Sequence, residues 1–232
     1  MRSIRLLAAL LAAFCACCTC AVGAAQTISP EFVNLLKDTE AQRRSGANDP
    51  QQFLGQVRTI AERGDPSAQF LIALLAMKQD RELAKTYFSR SVAKGCWGSE
   101  MGLGIIAMIE HRPDEGVRRF KAAASKGDVS AYAAISGLHE RGDNGFERSL
   151  PKAYAWAKLA VDQSPSMGAR AAAQEAMRKL DNAMVAAQRE QAAAVYADIS
   201  RKYPKVKYFF CGQVNPDASL DPTVPSYLQP VR

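Results

Sequence analysis

The chain has 232 residues, and its 30 lysines and arginines outweigh 23 aspartates and glutamates for a formal net charge of +7. Those charges are spread rather than blocked, and no basic stripe interleaves with aromatics, so the pattern is not that of a nucleic-acid groove. Two histidines and six cysteines, four of them within residues 15–20, form no Cys/His set at zinc spacing, so neither a metal nor another cofactor is expected.

Arg2 and Arg5 precede an apolar run from Leu6 to Phe14, and small residues follow around Val22-Gly23-Ala24. A positive start, a short apolar stretch and a small-residue exit predict a secretory signal over residues 1–25, cut after Ala24 or Ala25. The run is too short and too punctuated by cysteines to leave a membrane span. Ala16-Cys17 meets one condition of a lipid-anchor signal, while Phe14 meets the other poorly. The expected address is therefore export, to a periplasm first, with secretion or lipid anchoring as variants. Cleavage removes Arg2 and Arg5 and leaves +5, a mild charge suited to solubility and weak contact with an anionic cell-wall polymer.

Ser29-Pro30-Glu31 opens a first helix towards Arg44. Asp49-Pro50 sets a capping side chain ahead of a proline at the first helical position and opens a helix ending near Gly64. Asp65-Pro66 repeats that signal for a helix to about Lys78, and Asp80 caps a partner up to Lys94. The next pair covers about 97–111 and 113–126. A third covers 129–141 and, after a longer loop over 142–150, 151–163. An alanine-rich stretch then predicts a closing hairpin of helices over 165–203, broken at Asp181-Asn182. Val206 to Phe210 is strand-like, and prolines at 216, 222, 225 and 230 make 204–232 an extended tail.

Gly64, Gly95 and Gly127 lie 31 and 32 residues apart, and aligning them exposes a repeat. Four positions on stand Ala68, Ser99 and Ala131; eight on, Ile72, Leu103 and Ile135; nine on, Ala73, Gly104 and Ser136; eleven on, Leu75, Ile106 and Leu138. Before each glycine, Phe53, Ala84 and Gly116 stand at eleven positions, and Ile60, Ser91 and Ala123 at four. Counting eleven from Ala153 reaches Ser164, where a fourth copy lacks its glycine. Offsets of 4, 8 and 11 mark one helix face, so a period near 32 encodes two helices per unit that bury their faces by stacking. The predicted fold is all-α: a solenoid of antiparallel helix pairs over about 29–63, 64–94, 95–126 and 127–163, closed by the hairpin.

Gly64-Asp65-Pro66-Ser67-Ala68-Gln69-Phe70 and Ala153-Tyr154-Ala155-Trp156-Ala157-Lys158-Leu159-Ala160 are the segments by which the chain resembles the Sel-like repeat family, relatives of tetratricopeptide repeats. The resemblance covers 49–163 and, more loosely, reaches 203. It implies a right-handed α-superhelix whose first helices line a concave face, and a role as adaptor or scaffold. Exported bacterial members imply host contact, envelope complexes or immunity to periplasmic toxins. Cys96 stands where the family prefers aspartate and His139 where it prefers tyrosine, and Gly102 and Gly104 fall inside the second unit's first helix, where glycine weakens a helix.

Four of the six cysteines leave with the signal. Cys96 and Cys211 remain, either as a bridge tying the tail to the solenoid or as two separately packed thiols. Ser91-Val92-Ala93-Lys94 and Ser149-Leu150-Pro151-Lys152 match the Ser-x-x-Lys of penicillin-interacting serine enzymes, but companion Ser-Asp-Asn and Lys-Thr-Gly elements are missing. The penicillin-binding branch of the resembled family carries a cysteine pair per repeat, which this chain lacks. Arg63-Gly64-Asp65 and Arg141-Gly142-Asp143 spell an adhesion tripeptide, the first of them a unit junction. Gln69, Glu100 and Tyr132 share the +5 position of successive first helices, and its variability marks them, with nearby Trp97, as a contact strip for another protein. The functional expectation is a non-enzymatic, exported binding scaffold. The alternatives are a β-lactam-binding protein or other envelope hydrolase, and a passive cell-wall structural protein.

Overall fold

Helix starts in this chain are set by side chains that accept the first free amides. Asp49 accepts from the amides of Gln51 and Gln52 at 2.9 and 3.1 Å, Asp65 from Ala68 at 2.7 Å, and Asp80 from Leu83 at 2.9 Å. Asp128 accepts from Ser130 at 2.8 Å and Ser149 from Lys152 at 3.4 Å. Each such cap contributes about 1 kcal/mol. Gly64, Gly95 and Gly127 end the preceding helices in the left-handed region, at φ of 96°, 83° and 87°. Ser164 needs no glycine: it leaves its helix extended, at φ −63° and ψ 127°, as the following Pro165 favours.

The computed structural model describes residues 29–47, 49–164, 167–203, 208–209 and 211–213. The helices are α1 (Pro30–Ser45), α2 (Pro50–Glu62), α3 (Pro66–Ala76), α4 (Arg81–Ala93) and α5 (Gly98–Ile109). There follow α6 (Pro113–Ser125), α7 (Val129–Arg141), α8 (Leu150–Gln163), α9 (Met167–Ala183) and α10 (Ala186–Lys202). Neighbours in sequence pack as neighbours in space, α3 on α4, α5 on α6 and α7 on α8, with α2–α3, α4–α5 and α6–α7 joining the units. Both α9 and α10 rest on α8. The predicted signal lies outside the described residues, as does most of the tail. Among the described residues no helix is long and apolar enough to cross a membrane.

The small columns are where helices approach. Ala68, Ser99 and Ala131 at +4 are fully buried, as are Ala84, Ser91 and Ala123 on the second helices. Two cores result. One joins Phe32, Leu35 and Leu36 of α1 to Val57, Ile60, Ile72, Tyr87 and Phe88, and takes Leu103 and Ile106 from α5. The other runs from Phe120 through Tyr132, Ile135 and Trp156 to Ile199, and takes Met101, Ile105 and Met108 from the same helix. Helix α5 is thus the seam between the cores.

Two sequence expectations change. The glycines within α5 do not interrupt it: a Cβ on Gly102 would lie 2.4 Å from the Phe88 ring, and one on Gly104 2.5 Å from the Phe120 ring, so both admit a buried aromatic. The closing hairpin breaks at Met184-Val185, not Asp181-Asn182. Asp181 stays helical and takes Arg189 across the turn at 3.0 Å, while buried Met184 fixes the bend and Gln188 accepts from the Val185 amide. Of the strand expected over 206–210, Tyr208–Phe209 form β1, paired antiparallel with β2 (Gly212–Gln213), and 206, 207 and 210 lie outside the described residues.

Candidate interaction surface

The turn of that hairpin holds Cys211, which is joined to Cys96 by a disulfide across 115 residues of sequence. Cys96 follows Gly95 as Asp65 follows Gly64 and Asp128 follows Gly127, so the bridge stands in register with the flanking caps, one residue before Trp97 at the start of α5. The α5 N-terminus accordingly has no side-chain cap. Both sulfurs are buried. The Cys211 sulfur lies 3.5 Å from the Pro66 carbonyl, which also accepts the Ser91 hydroxyl at 2.7 Å, and the Ser99 hydroxyl lies 3.5 Å from the Cys96 sulfur. The tail is therefore pinned where α3 begins, α4 ends and α5 begins.

The contact strip expected at +5 is not a free surface. Gln69, Glu100 and Tyr132 are all buried. Gln69 donates from Nε2 to the Ala61 carbonyl at 3.0 Å. Glu100 takes the Arg119 guanidinium at 2.8 Å, and Arg119 reaches Glu115 at 3.5 Å. Tyr132 is packed between the rings of Trp156 and Tyr203, at 5.7 and 6.0 Å between centroids. Burial, the Asp128 carboxylate and Tyr203 together hold its phenol above the usual range. Trp97 is half-buried, with the Lys126 ammonium 4.4 Å above its ring. The reason was available in the sequence: at 3.6 residues per turn, +5 lies about 20° from +12 and about 40° from +9, inside the core arc. Its variability reflects three different partners on the neighbouring second helices, not freedom at a surface.

The arc of the first helices turned furthest from the buried columns lies at +6, +10 and +14, although Phe70 packs on the Phe88 ring and Met101 and Ile105 pack against the second core. These positions are Phe70, Leu74 and Lys78 on and just after α3, Met101, Ile105 and Ile109 on α5, and Ala133, Gly137 and Arg141 on α7. The arc is apolar on the first two helices and small or charged on the third. Leu74 is 40% exposed and Ile109 47%. Next to Leu74, Leu75 is 52% exposed, although its equivalents Ile106 and Leu138 are exposed by only 1% and 2%. Those two sit in cores that include the preceding unit. Among the described residues Leu75 has no such cover: those of α1 that are buried are Phe32, Leu35 and Leu36, and its second half, Lys37 to Ser45, contains no large apolar residue.

The catalytic and adhesive motifs are accounted for by structure. Ser91 bonds Pro66, while Lys94 donates to the Gly64 carbonyl at 2.7 Å. Ser149 caps α8, and Lys152 pairs with Glu147 at 3.0 Å. Arg141 and Asp143 of the second Arg-Gly-Asp pair with each other at 2.7 Å; in the first, Arg63 pairs with Glu31 and Asp65 caps α3. The 142–149 loop folds over His139, whose ring meets Phe146 edge-on at 4.7 Å, with Nδ1 3.2 Å from the Glu147 carbonyl. Burial lowers the His139 pKa, and the Glu147 carbonyl opposes the shift. Among the described residues no cluster of three or more His, Cys, Asp or Glu could hold a metal ion.

Stacked antiparallel pairs, each joined to the next unit through a left-handed glycine, define an α-solenoid. More closely, the fold is that of Sel-like repeat proteins. One similar structure is a protective antigen present in uropathogenic Escherichia coli strains, displaying an SLR fold: 21% identity and a TM-score of 0.60 over 75% of this chain. This chain spans 37% of the length of that protein. Another is a Sel1 repeat protein from Oxalobacter formigenes, with 20% identity, a TM-score of 0.52, and coverage of 76% of this chain and 77% of the other. No family model matches the sequence, and no curated protein matches it.

Proposed function

We propose that this chain is an exported scaffold that binds another protein through the exposed Leu74 and Ile109 of α3 and α5. The observation that carries this reading is the pair Leu74 and Ile109, exposed by 40% and 47% on adjacent first helices. A lone exposed leucine needs no explanation, but apolar residues aligned on two units form a patch of the kind that marks contact sites. A few such anchors supply most of the energy of a protein interface. The buried Cys96–Cys211 bridge supports an oxidising compartment, as the predicted signal does. Assembly of an envelope complex and neutralisation of a periplasmic toxin are both roles that this surface suits.

The test is capture of partners by the mature chain from its own envelope extract, comparing wild type with Leu74→Glu/Ile109→Glu. The double variant should lose a stoichiometric partner while keeping its helical content and melting behaviour, since surface changes of this kind shift stability by about 0.5 kcal/mol or less. Retention of the partner by a folded double variant would refute this surface as the binding face.

A further inference from the structure

The fold gathers charge that the sequence spreads. Arg63, Lys94 and Lys126 each stand one residue before the glycine that begins the next unit. Each reaches back to where its own unit begins: Arg63 to Glu31 at 2.6 Å, Lys94 to the Gly64 carbonyl at 2.7 Å, and Lys126 to the Trp97 ring at 4.4 Å. Lys94 thus lies beside the turn that holds Arg63, and Lys126 beside the turn that holds Lys94, so the three form a row along one edge of the solenoid. Four or five residues earlier on the same second helices stand Arg58, Arg90 and Lys121, and all six residues are exposed.

Few carboxylates neutralise this row. Glu31 holds Arg63, and Glu62 takes Arg90 at 3.6 Å. Among the described residues Arg58, Lys94, Lys121 and Lys126 pair with no carboxylate; Lys121 lies instead over the Phe146 ring at 5.6 Å. The acids Glu82, Asp114 and Glu115 stand in the first turns of α4 and α6, at the opposite end of those helices. The helix dipole favours cations in a last turn, which accounts for Lys94 and Lys126 but not for Arg58 and Lys121 further back. The row stops at the fourth unit, where Gln163 replaces the cation and Asp162 takes Lys158 at 2.9 Å. The first helices have no counterpart: α3 carries no charged residue, and α5 only Glu100.

We propose that this row docks a linear polymer of phosphate groups, on a face separate from Leu74 and Ile109. The argument is charge complementarity. Packed helices stand about 8–10 Å apart, so the unpaired cations recur on a scale that a flexible chain of repeating anions spans. Three of the four are lysines, which act as point charges and suit phosphate, whereas a carboxylate favours the planar fork of arginine. Release of counterions drives such binding and makes it salt-sensitive. Trp97 and Phe146 are half-buried, and each has a ring face taken by Lys126 or Lys121, so neither offers a platform for a stacked base or an anchor for a bilayer.

Titration of the oxidised mature chain with long-chain inorganic polyphosphate over a series of salt concentrations tests it. Lys94→Gln/Lys121→Gln/Lys126→Gln should weaken binding about ten-fold or more at low salt and flatten the log–log salt slope by about 2. Lys94→Arg/Lys121→Arg/Lys126→Arg, which alters the same contacts but keeps the charge, should bind as the wild type does. Lys179→Gln/Arg201→Gln/Lys202→Gln removes equal charge from the closing hairpin and should have a several-fold smaller effect. Equal losses in the two glutamine variants, each with unchanged helical content, would reduce the effect to net charge and overturn the proposal. Tighter binding to polyglutamate or to phosphatidylglycerol vesicles than to polyphosphate would overturn it too, as would no binding at all. Partner capture through Leu74 and Ile109 is a separate readout, so either reading can fail without the other.

Discussion

Cys96 is bonded to Cys211 at the position where the flanking units place Asp65 and Asp128 as helix caps. The second unit has exchanged a local hydrogen bond for a covalent tie to the far end of the chain.

That exchange can be measured. In the chain-entropy account, a bridge over a separation of this size stabilises by roughly 4–5 kcal/mol. Cys96→Ser/Cys211→Ser should therefore lower the urea midpoint sharply. Cys96→Asp/Cys211→Ser should recover about 1 kcal/mol of the loss by restoring a cap. Equal midpoints for the two variants would show that the α5 terminus does not respond to a cap.

Glycines inside helices divide by what they face. Gly102→Ala forces a methyl into the fully buried Phe88 ring and should destabilise by about 1–3 kcal/mol, despite alanine's better helix propensity. Adding Phe88→Leu should return part of that loss. Gly55 in α2, with nothing within 4 Å of a Cβ, should gain about 0.5–1 kcal/mol as alanine. Calorimetry of the three variants decides the matter, and a stabilised Gly102→Ala would contradict the packing described.

Glu100 and Arg119 bind each other where both are largely shielded from water. Glu100→Ala should cost about 2 kcal/mol by removing the closer of the two carboxylates that hold Arg119, with Glu115 remaining, while Glu100→Leu/Arg119→Met should recover part of it. Denaturation curves for the single and double variants test this. Loss of partner binding by Glu100→Ala at full stability would restore the +5 strip as a binding surface.

Acid should weaken the 142–149 loop through His139. Its folded pKa is lowered, chiefly by burial, so its contribution is complete above the unfolded value near 6.5 and is lost as pH falls through the folded value. Lys121, Lys152 and Glu147 face it, and the two lysines add to the penalty on the charged ring. Wild type should thus lose more stability than His139→Gln between pH 7.5 and pH 5. Parallel losses would show that His139 is not responsible.

The fold was legible because a solenoid repeats its information. The glycine register, the small residues at +4 and the Asp-Pro starts each recur, and each has one physical purpose. The interaction surface was less legible. Gln69, Glu100 and Tyr132 differ as surface residues differ, yet each is buried against a different group: the Ala61 carbonyl, Arg119, and the Trp156–Tyr203 ring pair. Variation in a column does not distinguish exposure from private pairing, whereas helical angle does. The exposure of Leu75 could not be read from its own unit at all, since it depends on what α1 fails to cover. Pairing of Cys96 with Cys211 required three-dimensional proximity that spacing alone does not supply.

An oxidised, exported solenoid is the premise of the whole account, and a peptide map of the protein taken from its native envelope under non-reducing conditions addresses it most directly. The account predicts a mature N-terminus following Ala24 or Ala25, and a single disulfide-linked peptide joining Cys96 to Cys211. A retained Met1 together with two free thiols would contradict it.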